Sequence, residues 1–330
     1  MLPLLQNSPA RYKNQCYPLA APMLYAILVI LFGLWDAWPI HGADKETKNF
    51  VIVVSKDLRP YLECEQGVRQ FLENWHKKPH KIISMHLAEK SQRYVKEAIA
   101  NLKPDMVICI GTKATYLLKE IKPDCPWVAT FIIDKTIEKL KAQGIVAVSM
   151  DVPIEKRISV LCRIKDHIHA AVLARDTPVS PKNYVKYGPC QTKDAYFRIF
   201  PFFSSIEIAL QNILKSLINA LFITADPDVF SSQEVVSYTL LWGLRNKVAI
   251  CGLSSGYVRN GALYALEADL KSLGRQTARL ALHYLSGKIK GNVIVQHPKR
   301  LVLSINLKTA SRLGLKIPES VLKEARVIIK

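Results

Sequence analysis

What most constrains this chain is a rhythm that begins at Phe50. Short β-branched runs without polar alternation are each followed by apolar residues at helical spacing. FVIVVS leads to a stretch with Leu62, Val68, Phe71, Leu72 and Trp75 on one face. KIISMHL leads to one carrying Tyr94, Val95, Ala98, Ile99 and Leu102. MVICI leads to a helix from Thr112, and PWVATFII closes the first set. Strands that are apolar on both faces need helices on both faces, which means a parallel sheet. The rhythm restarts after Pro153: a helix to Ile168, the strands HAAVLA and YFRIF, a helix from Ser204, the strand NALFITA, a helix from Ser231 and the strand KVAIC. The expectation is an α/β protein of two doubly wound, parallel-sheet lobes.

Composition agrees and excludes alternatives. The chain has 330 residues, 49% hydrophobic and 22% charged, too apolar for a disordered tail and longer than one core usually organises. Only one apolar run, Leu19 to Trp35, is long enough to engage a membrane, which excludes a multi-span transporter. Arg11 and Lys13 precede that run and small residues follow it, the order of a secretory signal or N-terminal anchor over residues 1–43, with Ala43 the natural cleavage point. Cys16 precedes the run and is not read as a lipid-attachment site. The net charge of +19, of which the first 43 residues carry +1, points to anionic partners of some kind. Export permits disulfides among Cys64, Cys109, Cys125, Cys162, Cys190 and Cys251. No two of the seven cysteines form a C-x-x-C pair, and Cys109, Cys162 and Cys251 read as small buried thiols.

One stretch breaks the rhythm. Asp176 to Asp194 holds Pro178, Pro181, Gly188 and Pro189 and few apolar residues, and is expected to be an irregular, helix-free surface loop.

Several motifs invite chemistry. GLSSG at Gly252–Gly256 matches a nucleophile elbow, with Asp269 and His283 following in hydrolase order. An elbow must lead into a long supporting helix, whereas ALYAL ahead looks like another strand, so a polar loop at a strand's carboxyl end is the better reading. His167 and His169 lack partners at metal-ligand spacing. The run His76–Lys81 has no interleaved aromatics and reads as a solvated turn rather than a nucleic-acid patch. GTKAT at Gly111–Thr115 is more informative. A strand runs into a glycine, Thr112 opens a helix and Lys113 adds positive charge, an arrangement suited to a carboxylate as well as to a plain helix cap.

The sequence resembles the solute-binding proteins of bacterial ABC transporters, in particular the group that binds aromatic amino acids such as tryptophan. The resemblance is carried by PYLECEQGVRQFL from Pro60, LKPDMVICIGTKAT from Leu102, LFITADPDVF from Leu221, LRNKVAICGLSS from Leu244, GALYALEADLKSLGRQTARLALHYLSGK from Gly261 and LVLSINLKTASRLGLKIPESVLKEA from Leu301. It departs at Asp176–Asp194, where the family has a helix, and in the high positive charge.

The resemblance implies a type I-like periplasmic binding-protein fold whose lobes are joined by a multi-strand hinge. Lobe one would comprise residues 48–151 and 267–287, lobe two 152–266 and 296–330. The implied function is extracytoplasmic capture of a small ligand, an amino acid or other small carboxylate, by a periplasmic monomer that hands it to an ABC permease. No catalysis, cofactor, metal or nucleic acid is implied. A sensing partner of a signalling receptor and, less favoured, a secreted serine hydrolase using Ser254 are the alternatives. By position, the implied ligand contacts are Ser55, Lys56, Tyr61, Gly111, Thr112, Lys113 and Asp134 from lobe one. Asp226, Ser254, Ser255 and Tyr257 come from lobe two, with Glu267 at the crossing. Tyr61 and Tyr257 would flank the ligand body, and Asp134, Asp226 or Glu267 would accept an ammonium group.

Overall fold

A computed structural model describes residues 47–75, 79–175, 184–186, 195–202 and 205–330. The expected N-terminal signal or anchor, the basic turn at 76–78 and most of the 176–194 loop lie outside the described residues. Thr47–Lys330 form one compact unit.

The first sheet is wholly parallel. It contains β1 (Lys48–Val54), β2 (His80–His86), β3 (Met106–Ile110), β4 (Trp127–Ile132), β5 (Ile145–Ser149) and β12 (Val293–Gln296), in the order β12-β5-β4-β3-β1-β2. Successive strand residues serve opposite faces, as the pleat requires. Phe50, Ile52 and Val54 pack with Val68 and Leu72 of α1 (Arg59–Glu73) and Leu273 and Ala281 of α9 (Leu270–Leu285). Val51 and Val53 pack on the other side with α2 (Gln92–Leu102), α3 (Thr112–Ile121) and α4 (Asp134–Lys141). The first set therefore does not close at PWVATFII. It continues through α4 and β5, elements the sequence reading passed over.

The second sheet contains β6 (Ile168–Ala174), β7 (Tyr184–Lys186), β8 (Ala195–Pro201), β9 (Ala220–Phe222), β10 (Ala249–Gly252), β11 (Tyr264–Ala268), β13 (Leu301–Asn306) and β14 (Ala325–Ile329). Their order is β14-β13-β11-β10-β9-β6-β8-β7. Its pairs are parallel except β11 with β13 and β7 with β8. One face packs on α5 (Ile154–Cys162), α10 (Leu307–Arg312) and α11 (Glu319–Glu324), the other on α6 (Ile206–Lys215) and α7 (Gln233–Arg245). Tyr184–Lys186, inside the stretch expected to be an irregular loop, pair with β8 as an edge strand. That corrects the expectation at those three residues.

Among the described residues the chain crosses between sheets three times: at Met150–Pro153, at Asp269 between β11 and α9, and at His297–Arg300 between β12 and β13. The second and third crossings differ from the expected boundaries. Glu267 sits in β11, paired with Val302 of the second sheet, and β12 beyond Gly287 pairs with β5 of the first. Backbone pairing at both ends of α9, rather than the Gly287 turn, decides where each lobe stops.

The α1–α9 crossing fixes how α9 seats on the first lobe. A Cβ at Gly67 would lie 2.1 Å from the Lys271 carbonyl oxygen, and one at Gly274 would lie 2.0 Å from that of Cys64. The two backbones touch, so these positions admit only glycine.

Cys64, Cys109 and Cys251 are buried free thiols and Cys125 is a half-buried one. Burial pushes the pKa of each of the four up. Cys162 is disulfide-bonded, which corrects its reading as a small buried thiol. No helix among the described residues is long and apolar enough to cross a membrane.

Candidate functional site

Carboxyl ends of parallel strands are where α/β sheets place ligands. Here the ends of β4, β5, β6, β9, β10 and β11 converge, with the crossing segments, on a cleft of about 760 Å³ between the two sheets. That volume suits a small organic ligand. Its walls are mostly apolar: Phe131 and Leu270 on the side of the first sheet, Met150 and Val152 at the crossing, and Val172, Phe197, Ile199, Leu253 and Leu266 on the side of the second.

Polar groups are few and built in. Arg157 of α5 is 5% exposed and lines the cleft. One of its terminal nitrogens donates to the carbonyls of Cys251 (2.9 Å) and Gly252 (3.1 Å), and its guanidinium lies 5.2 Å from the centre of the Phe222 ring. Its Nε is buried without a partner among the described residues, as is Thr224 Oγ1, also on the cleft wall. Burial pulls the Arg157 pKa down, against the pull of Tyr264, Cys251 and Asp151, but a guanidinium stays protonated at neutral pH. A buried cation with an idle donor is a strong reason for an anion to bind.

Acidic groups face it. Asp151 Oδ2 accepts from the Asp134 backbone N–H at 2.8 Å, and burial raises its carboxyl pKa. Glu267 Oε1 accepts from the Ser255 N–H at 3.0 Å, and burial raises its pKa as well. Asp134 meets His297 Nε2 at 3.1 Å.

Phe131 has φ of +56°, rare for an aromatic residue, at a register shift between Thr130 and Ile132. This backbone kink turns the ring into the cleft wall, where it leans on Tyr61 with ring centres 4.4 Å apart. Strain of this kind persists only where the surroundings enforce it, and it clusters at ligand sites.

Of the residues expected to touch ligand, Asp134, Ser254 and Glu267 line the cleft; the other nine do not. Ser55 Oγ instead accepts from the Ala114 N–H at 2.9 Å and caps α3. Gly111, at φ +96°, lies so close under Ser55 and Tyr61 that a Cβ would come within 2.5 Å of the Tyr61 ring. The GTKAT turn is thus a helix start closed over by its neighbours, with Thr112 and Lys113 exposed, as is Lys56. Tyr61 backs Phe131 from outside the cleft lining. Tyr257 packs over Gly252, and Ser255 serves Glu267. Asp226 is held by Lys135 Nζ at 2.8 Å, which also meets Asp228 at 2.5 Å, an ion pair that bridges the two lobes.

Ser254 opens α8 (Ser255–Arg259), a five-residue helix rather than the long one an elbow needs. Asp269 caps α9 and His283 lies in its last turn, about 21 Å away at 1.5 Å per residue. The hydrolase order therefore does not assemble into a triad. Asn219 bridges the backbones of His167 and His169, and the His169 ring meets Tyr196 edge-on. No metal-holding cluster is found among the described residues.

Arg157 was legible in principle. It shares a helical face with Ile154, Ile158 and Leu161, and a charge on an apolar face is a signal. Phe131 was not legible, because only the tertiary kink exposes it.

Residues 194–329 match the family described as ABC transporter substrate binding protein. No curated protein matches by sequence. Among solved structures, the ligand-free, open form of CD0873, a substrate binding protein with adhesive properties from Clostridium difficile, has a TM-score of 0.64 at 18% identity, covering 86% of this chain and 99% of that one. An ABC domain from Streptococcus pneumoniae in complex with L-Trp has a TM-score of 0.54 at 19% identity, covering 86% and 100%. A conserved domain protein from Vibrio cholerae has a TM-score of 0.54 at 20% identity, with the same coverage. Residues 194–329 are thus similar to ABC-type substrate-binding proteins, and the described chain shares the fold of these solved structures.

Proposed function

We propose that this protein is an extracytoplasmic solute-binding protein that closes its two lobes on a small zwitterion and presents it to an ABC permease. The observation that carries the reading is Arg157, a buried cation with an idle donor on the wall of an apolar cleft that also holds two half-buried carboxylates, Asp151 and Glu267. In this reading Arg157 and Thr224 Oγ1 receive the ligand carboxylate. A charge-assisted hydrogen bond in such a setting contributes about 1.5–3 kcal/mol. Glu267 and Asp151 face the ammonium group, while Phe131, Phe197 and Leu253 cover the apolar body. The tryptophan complex of the Streptococcus pneumoniae domain supports an amino acid as the first class to try.

The test is a thermal-shift panel of amino acids, small carboxylates and inorganic oxyanions. A ligand that binds only the folded state raises the melting temperature, by an amount that grows with its excess over Kd. At least one amino acid should raise it. If the whole panel leaves the melting temperature unchanged, the reading fails.

A further inference from the structure

A second cavity lies on the outer side of α9, away from the cleft just described. It holds about 220 Å³ and is bounded by Arg275, Arg279 and His283 of α9 and by Lys299 and Arg300 of the crossing segment. Among the described residues no Asp or Glu lines it. None of Arg275, Arg279, Lys299 or Arg300 has a carboxylate at ion-pair distance among the described residues. The nearby Asp269 accepts from the Ser272 N–H at 2.8 Å and pairs with Arg326 at 3.3 Å, and the charge of Arg300 also helps hold its pKa down.

The cluster is built rather than incidental. Gln276 ties the crossing segment to α9: its amide donates to Gln296 Oε1 at 3.1 Å and to the His297 carbonyl at 3.0 Å, and its oxygen accepts from the Lys299 N–H at 3.0 Å. These bonds bring Lys299 and Arg300 beside the α9 arginines. Ser272 Oγ accepts from Arg275 Nη2 at 2.8 Å and fixes that guanidinium. Arg275 is half-buried and Arg279, Lys299 and Arg300 are exposed. Four permanent cations gathered on one patch, with Asp269 as a counter-charge on the Arg300 side and no carboxylate lining the cavity, make a positive field that attracts an anion.

We infer that this cavity is a binding site for a phosphate-type oxyanion. Three guanidinium forks and an ammonium suit a tetrahedral group with three acceptor oxygens and up to two negative charges better than a monocarboxylate. An adjoining groove shares Arg275, Arg279 and His283 and is walled by Phe71, Trp75 and Leu282, with Arg279 5.4 Å from the centre of the Phe71 ring. It gives room for an apolar body attached to the phosphate. The same chemistry is available from free phosphate and from the headgroup of an anionic phospholipid.

Both sources are tested on the intact protein at physiological ionic strength. Inorganic phosphate is titrated by calorimetry, and vesicles of phosphatidylglycerol or of phosphatidylcholine are tested by co-sedimentation. Wild type is compared with Arg275→Gln/Arg279→Gln and with a charge-matched control, Lys96→Gln/Lys316→Gln, on remote exposed surface. Binding of phosphate or of phosphatidylglycerol vesicles should fall at least tenfold in the arginine variant and stay within twofold in the control. Phosphate binding identifies the free anion as a ligand. Vesicle binding without phosphate binding identifies the lipid headgroup. The milder Arg275→Lys/Arg279→Lys keeps the charge and loses the forks, and should bind at an intermediate level, so a folding failure of the glutamine variant does not decide the matter. If wild type binds neither probe, or if the arginine and control variants lose binding equally, the site does not exist.

Discussion

At the scale of single residues, Arg157 illustrates how a structural and a binding role can share one side chain. Its terminal nitrogen satisfies the carbonyls of Cys251 and Gly252, which belong to the same strand end that delivers Ser254 to the cleft. Arg157→Met should cost about 1–3 kcal/mol in a urea melt, because two buried carbonyls lose their donor. Asp151 behaves in the opposite sense. Burial raises its folded-state pKa above the unfolded value, so the group is neutral in both states below the unfolded pKa, about 3.9. As pH climbs through the unfolded and then the folded pKa, the unfolded state sheds its proton first and wild type loses stability. Asp151→Asn keeps an acceptor for the Asp134 N–H. Its melting temperature should draw progressively above that of wild type as pH rises above the unfolded pKa of about 3.9. A difference that shrinks with rising pH contradicts the assignment. Sequence alone reached Asp134, Ser254 and Glu267 because each stands at a strand's carboxyl end, where the alternation of elements can be counted. It missed the cleft's main cation because Glu155 and Lys156 beside Arg157, and Arg163 and Lys165 beyond it, make the helix read as charged on its solvent side and hide the one charge that falls on its apolar face.

At the scale of elements, the chain is legible wherever the core claims both faces of a strand. FVIVV and MVICI are completely buried and could be placed from composition alone. The α4–β5 unit was lost because α4 is lysine-rich and shows the core only Thr136, Ile137 and Leu140. GTKAT lies off the cleft for a related reason: its donors and charge are visible in the sequence, but the Ser55 cap after β1 and the Tyr61 ring of α1 that close over Gly111 come from about fifty residues away. The α1–α9 crossing gives a sharp test of packing. Gly274→Ala places a methyl against the Cys64 carbonyl, and the helices must separate to admit it. A loss of about 2 kcal/mol or more in denaturant melts is expected, with α9 then less protected in hydrogen exchange. Unchanged stability shows that the helices are not in backbone contact.

At the scale of the whole molecule, the two sheets share three crossings among the described residues, and Lys135 reaches from lobe to lobe to pair with two carboxylates. Lys135 belongs to α4, Asp226 and Asp228 to the loop after β9, and the carboxylates hold the lysine's pKa above its usual value. The pair is largely exposed, so its worth is the small one of a surface bridge. Lys135→Met should therefore weaken ligand capture by about two- to fivefold, and the residual affinity should depend less on salt than that of wild type. Tenfold or greater loss means that Lys135 touches ligand directly. The account as a whole rests on the cleft holding a carboxylate against Arg157. Calorimetric titration of the most stabilising ligand from the panel into wild type, Arg157→Met and Glu267→Gln tests this most directly. One ligand should bind per chain, with at least tenfold weaker affinity in each variant while far-ultraviolet dichroism stays native. Wild-type affinity in a folded Arg157→Met protein contradicts it.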